Sequence, residues 1–472
     1  MSALIDELKA LLGPHGCMEG ADAQAKAASA WSPLGTPAVI LRPANTEQVS
    51  QVMKLCHAAG QPIVAWGGLT GLVASANVEH GELALSLERM HAIAEIDETA
   101  ATATVEAGAI LQNVQEEIDQ HGLILPLDLG ARGSATIGGN IATNAGGNRV
   151  IRYGMMRNMV LGLEVVLADG TVLTSLGKMI KDNAGYDLKQ LFIGSEGTLG
   201  IVTRAVLRLR RKPDSQDTAF LAVSQFDKLP KLLGLMDRRL AGTLSAFECM
   251  WQDFYALLTT APAPHTPPPH TPPLPHDYPY YVLLEAMGAD QEKDSDRFER
   301  ALEEALDQGL IDDAVIAKSQ SERDKMWAIR DDVGQVLQKW PVFTFDVSLP
   351  VQEMESYVAE MKERLTAHYP DHSAMIFGHL GDGNLHVVAG VGSDTLEARR
   401  GVEACVYEPL RARGGSVSAE HGVGLEKLPY LPYTRSPEEI AVMRTLKQAL
   451  DPKGILNPGK IFAAQPLRSA AE

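Results

Sequence analysis

The first half of the chain alternates short apolar runs with amphipathic stretches. Apolar runs occur in TPAVILRPAN (36–45), QPIVAWGG (61–68), ELALSLERM (82–90) and TATVEAGA (102–109), and each predicts a strand. Thr46-Glu47-Gln48-Val49 reads as a capped helix start, with the helix running to His57 or Ala58. AILQNVQEEIDQHG (109–122) has helical periodicity and stops at Gly122. VLGLEVVLADGTVLT (160–174) predicts a hairpin turning at Asp169-Gly170. The N-terminal MSALIDELKALLG is a short amphipathic helix with no basic segment leading into an apolar one, so it does not read as a secretory signal.

The second half has a similar rhythm with longer helices. YYVLLEAMG (280–288) and FTFDVSLP (343–350) predict strands. The stretches 290–309, 325–340, 354–370 and 438–452 predict helices. Between the halves lies APAPHTPPPHTPPLPHDYP (261–279), too rich in proline for a helix or a central strand. It predicts a surface loop, and the irregular spacing of His265, His270 and His276 gives little for a metal. The pattern implies an α+β protein with a first domain to residue 212, a second over 213–424, and a tail, 425–472, that packs back on the first.

Composition narrows the function. The 472 residues are 45% hydrophobic and 22% charged, as expected of a globular protein. Sixty acidic against 42 basic residues give a formal charge of −18, which argues against a nucleic-acid partner. No apolar run reaches the length of a bilayer span. Cys17, Cys56, Cys249 and Cys405 are too far apart for a disulfide framework and predict a reducing compartment, the cytoplasm.

Three glycine-bearing loops stand out: Gly67-Gly68-Leu69-Thr70-Gly71, Thr136 to Gly147, and Gly194 to Gly200. Backbone amides in such loops form anion nests. Three together predict an extended cofactor carrying a pyrophosphate. No GxGxxG with a later acidic partner is present, which argues against a nicotinamide Rossmann unit, and no GxxxxGK[ST] is present either.

The sharpest chemistry lies in FGHLGDGNLHV (377–387). If Asp382-Gly383 is a two-residue turn, His379 and His386 stand directly opposite each other. They are then either a packed or solvated pair or two arms of a metal chelate. Glu420, beside His421, would make a set of two histidines and one carboxylate. That set suits Zn²⁺ and also Mn²⁺ or Fe²⁺.

The segments PLDLGARGSATIGGNIATNAGG, RYGMMRNMVLGLEVVLADGTVL and KDNAGYDLKQLFIGSEGTLGIVT resemble those of the vanillyl-alcohol-oxidase-type (PCMH-type) flavoproteins, and among them the FAD-dependent D-2-hydroxyacid dehydrogenases. The resemblance spans about residues 36–465. It implies a two-lobed α+β fold with an FAD-binding domain and a substrate domain built on an antiparallel sheet. It also implies non-covalent FAD. By motif, Gly67, Gly68, Thr70 and Gly71 would wrap the pyrophosphate. Asp128, Thr136, Gly138, Gly139, Asn140, Thr143, Gly146 and Gly147 would line the flavin and ribityl side. Glu196, Gly197, Gly200 and Val202 would hold the adenosine half, with Asn457 returning from the C-terminus. Leu69 stands where the family usually has asparagine.

The resemblance further implies His379, His386 and Glu420 as ligands of a divalent metal, zinc first, with His421 as base and Arg330 as grip for the substrate carboxylate. The implied partners are a small D-2-hydroxyacid and an acceptor such as electron-transfer flavoprotein or a quinone, with homodimerisation an open expectation. Against the members acting on D-2-hydroxyglutarate, three polar positions are lost, at Gly334, Thr344 and Val388. The substrate pocket therefore reads as less polar, and a D-lactate-like acid competes with D-2-hydroxyglutarate.

Overall fold

The computed structural model describes residues 2–32, 34–263 and 266–463, so His265 lies outside the described residues. By internal contacts the chain forms two compact units. The first holds residues 1–146, 154–212 and those from 420 onward, and the second holds 147–153 and 213–419. The short stretch 147–153 thus leaves the first domain drawn from sequence, and 420–424 joins it.

The first unit carries a four-stranded sheet in the order Cys17–Glu19, Val39–Leu41, Leu83–Ser86, Ile63–Trp66. Its last three strands are parallel. Helix Thr46–Ala59 begins one residue earlier in its cap than the sequence suggests: the Asn45 side chain, not Thr46, accepts from Gln48 N. Beside this sheet a five-stranded antiparallel sheet runs in the order Ile93–Asp97, Thr102–Glu106, Ile201–Arg208, Val160–Val166, Val172–Ser175. The hairpin at Asp169-Gly170 forms as expected, with Val166 opposite Val172 and Gly170 at φ +83°. The tail returns to this unit: Leu456 bridges Ile63, and Asn457 N donates to Ile63 O.

The second unit is one seven-stranded antiparallel sheet. Its order is Asp313–Ile316, Ser215–Val223, Tyr280–Gly288, Leu244–Trp251, Ser373–His379, Asn384–Gly390, Val342–Ser348. Helices Gln252–Thr259 and Gln320–Asp331 and the 3₁₀ turns Val333–Lys339 cover one face and pack on Phe220, Met250, Tyr281, Leu283, Phe377 and Val388. The single helix expected over 325–340 is therefore two pieces. It breaks at Asp332, whose φ −79° and ψ +52° are not helical.

Candidate functional site

The two units carry different chemistry. In the first, the loop after strand Ile63–Trp66 runs against the backbone of the loop ending at Thr136. A Cβ on Gly68 would meet Ser134 O at 2.0 Å, and one on Gly67 would meet Thr136 Oγ1 at 2.7 Å. A side chain on Gly71 would meet nothing within 4 Å. No protein acceptor among the described residues takes the N–H of Gly67, Gly68, Thr70, Gly71 or Gly146. These are donors available to an anion.

Helix Ile137–Thr143 follows, capped by Thr136. It packs tightly: a Cβ on Gly138 would meet that of Ala107 at 2.7 Å. Gly139 N donates to Thr136 Oγ1, and Thr143 Oγ1 donates back to Gly139 O. Asn140 is buried and its Nδ2 has no protein partner. A buried amide nitrogen left without a partner costs free energy and marks a place for an outside acceptor. Asp128 sits at the end of the preceding loop beside Arg132, 3.3 Å away. Gly147 opens the stretch assigned to the second unit. Open amides, close-approach glycines and the unpartnered Asn140 nitrogen together fit a flavin dinucleotide.

Other expected contacts have work within the protein. The buried Glu196 carboxylate accepts from Val423 N at 2.7 Å and Gly424 N at 2.8 Å. Burial pushes its pKa up. The Asn457 amide donates to Glu196 O and accepts from Ala65 N, at 2.7 and 2.8 Å. Gly197, at φ +72°, approaches this amide too closely for a side chain. Gly200 packs on Val165 and Phe192, and Val202 is buried in strand Ile201–Arg208. Leu69 takes φ +57°, a region that asparagine enters more readily than leucine, and buries its side chain with Trp66 and Val64.

In the second unit, the histidine hairpin differs from its expected form. His386 stands opposite Phe377, not His379. Leu380–Asp382 forms a 3₁₀ turn, and of the expected turn pair only Gly383 has positive φ, whereas a type I′ turn needs two such residues. Buried Leu380 and the close approach of Gly381 to Ile151 explain the longer loop. Residues 377 and 379 share a sheet face, so the two histidines still meet, with ring centroids 5.3 Å apart. Their ligand atoms lie within 4.8 Å of one another.

The pairing register puts Glu285, Glu248, His379, His386 and Asp346 on this same face, a diagonal band across five strands. Glu248 is central to it. Its Oε1 lies 2.8 Å from His379 Nδ1, and its Oε2 accepts from Arg330 Nε at 2.8 Å. Burial alone would raise the Glu248 pKa, but the charges of His379 and Arg330 hold it below the usual carboxylate range. Arg330, 4% exposed, stacks 4.9 Å over Phe377, and its terminal nitrogens have no hydrogen bond among the described residues. Asp346 accepts from Asn384 Nδ2 and from Ala419 N, fixing the residue bonded to Glu420. Glu420 and His421 begin the C-terminal part of the first unit, both half-buried.

Sequence reading passes over Glu248, Glu285 and Asp346. Each is the lone acidic residue in an apolar strand, and such a residue, when buried, must have a partner. That was the available signal. The three positions that differ from the hydroxyglutarate pattern also find places. Gly334 lies in the 3₁₀ turns, Val388 is buried beside Phe377 and Val336, and exposed Thr344 stands opposite Val388.

A model of FAD-binding domains matches residues 37–175, and one of the C-terminal domain of FAD-linked oxidases matches residues 212–461. The chain belongs to the FAD-linked oxidases. It is thus an oxidoreductase with an FAD-binding domain. Among its relatives is the D-2-hydroxyglutarate dehydrogenase of Stutzerimonas stutzeri, 37% identical, aligned over 98% of this chain and 99% of the relative. The mitochondrial D-2-hydroxyglutarate dehydrogenase of Arabidopsis thaliana is 39% identical over 97% of this chain and 81% of its own. A putative mitochondrial D-lactate dehydrogenase of Schizosaccharomyces pombe is 37% identical over 90% and 82%. In fold alone, the chain resembles p-cresol methylhydroxylase, at TM-score 0.76, 19% identity and coverage of 98% and 97%. The expected two-domain α+β fold of that type is therefore correct.

Proposed function

We propose that this chain oxidises a D-2-hydroxyacid to the 2-oxo acid, with the hydride going to FAD N5. The observation that carries the reading is Arg330: a buried guanidinium on the sheet face that holds the histidine pair, with its terminal nitrogens open. That fork suits a carboxylate in two-point contact. FAD supplies a two-electron acceptor, and a divalent cation, zinc first, supplies positive charge at the 2-hydroxyl. His379 and His386 would hold the cation, with Glu420 as third ligand. The donor types and the carboxylate behind His379 support this. His421 takes the hydroxyl proton in this reading. Electron-transfer flavoprotein or a quinone would then reoxidise the flavin. Four free cysteines, three of them buried, support a cytoplasmic setting.

The relatives' names favour D-2-hydroxyglutarate as substrate. A second reading, a monocarboxylic acid such as D-lactate, is favoured by Val388 and Val336, apolar residues buried in one cluster with Phe377. A second carboxylate buried there without a cation would be costly.

The deciding experiment is anaerobic flavin bleaching with D-2-hydroxyglutarate, D-lactate, D-malate and glycolate, each with and without a chelator. Bleaching that chelation abolishes, and that His421→Ala loses while keeping FAD, is the expected result. Bleaching indifferent to chelator removes the metal from the mechanism, and full activity of the variant removes the base.

A further inference from the structure

We infer that Glu248 is a positioning residue that ties His379, the expected metal ligand, to Arg330, the expected substrate grip. The inference rests on the metal-assisted reading above.

Glu248 is 1% exposed and has two oxygens with two different partners: His379 Nδ1 on one, Arg330 Nε on the other, each at 2.8 Å. An ionised carboxylate can only accept hydrogen bonds. His379 therefore meets Glu248 through a protonated Nδ1. Arg330 is held by the other oxygen and by Phe377 beneath it, at 4.9 Å, so its outer nitrogens keep one orientation. The backbone supports this arrangement. Glu248 and His379 are directly paired across antiparallel strands, so the contact needs no long side chain to be ordered from solvent. One buried carboxylate thus positions the group expected to hold the metal and the group expected to hold the substrate.

Glu285 is a built-in comparison. It is equally buried, lies on the same sheet face, and pairs with Arg149, Gln216, Ser245 and Trp327 rather than with either histidine. A purely structural role for buried carboxylates would make the two glutamates behave alike.

The substitution Glu248→Gln separates the roles. An amide facing Arg330 Nε–H must present its oxygen there, which turns its NH₂ toward His379 Nδ1. That favours the opposite tautomer, with the proton on Nε2. In the FAD-loaded full chain, competition with a chromophoric zinc chelator should show a zinc affinity roughly 10–100-fold weaker for Glu248→Gln, the range for a lost carboxylate behind a ligating histidine. Glu285→Gln should lower thermal stability and leave zinc affinity unchanged. Wild-type affinity in Glu248→Gln, or equal losses in both variants, would overturn the inference. If wild type itself fails to bind zinc more tightly than His386→Ala, the metal reading falls and this inference with it. A second measurement needs no Glu248 variant. In zinc-free wild type labelled with ¹⁵N-histidine, the resonance assigned to His379 by its loss in His379→Gln should report a protonated Nδ1. An unprotonated Nδ1 would overturn the inference.

Discussion

At the scale of single residues, acidic side chains inside apolar strands organise the second unit. Burial alone would raise the Glu285 pKa. The Arg149 guanidinium and hydrogen bonds from Gln216 and Ser245 outweigh it and hold the carboxyl below the ordinary 4.5. A depressed pKa stabilises the fold above the unfolded value, and that stability is lost as pH falls through the folded one. The melting temperature of Glu285→Gln should therefore lie below that of wild type by a constant margin above pH 4.5, and the margin should shrink as the pH is lowered toward 3. A margin that persists to pH 3 would show that another group carries the effect. Residues of this kind were only half legible. Arg330, His379 and His386 stand in recognisable motifs, whereas Glu248 carries no motif. Its meaning appears only once Leu244–Trp251 is paired with Ser373–His379, which is a matter of tertiary register.

At the scale of elements, periodicity found most strands and helices, because alternation and helical spacing are local. It missed the split at Asp332 and the 3₁₀ turn after His379, where packing of Leu380 and Gly381 decides the backbone. The glycine loops were legible as donors of backbone amides. That Glu196 and Asn457 serve as clamps was not, since their partners lie hundreds of positions away. Asn457 links the tail to strand Ile63–Trp66 and to Glu196 through two bonds of 2.8 and 2.7 Å. Asn457→Ala leaves a buried donor and a buried acceptor unpaired, at about 1–3 kcal/mol each. Chemical denaturation should show a loss of about 2–6 kcal/mol, accompanied by easier release of FAD. A loss under 1 kcal/mol would show that water or a neighbouring group replaces the amide.

At the scale of the molecule, a net charge of −18 says little about an anionic ligand, because local groups such as Arg330 and the open loop amides set the field where a ligand binds. A cofactor held by those loops should stabilise the whole protein by mass action. Free FAD at about 100 times its Kd should add about 2.7 kcal/mol to the apoprotein and raise its melting temperature with concentration. A melting temperature insensitive to FAD would contradict the cradle. The chain path adds a constraint of a different kind. It passes between the units at 146/147, 153/154, 212/213 and 419/420. On a ribosome, every residue of the second unit has been joined to the chain by Ala419, while the first unit still lacks Leu456 and Asn457. The seven-stranded sheet has all its strands in hand while the glycine loops wait without their clamp. For this protein, the order in which the units can be completed runs opposite to the order in which they are begun.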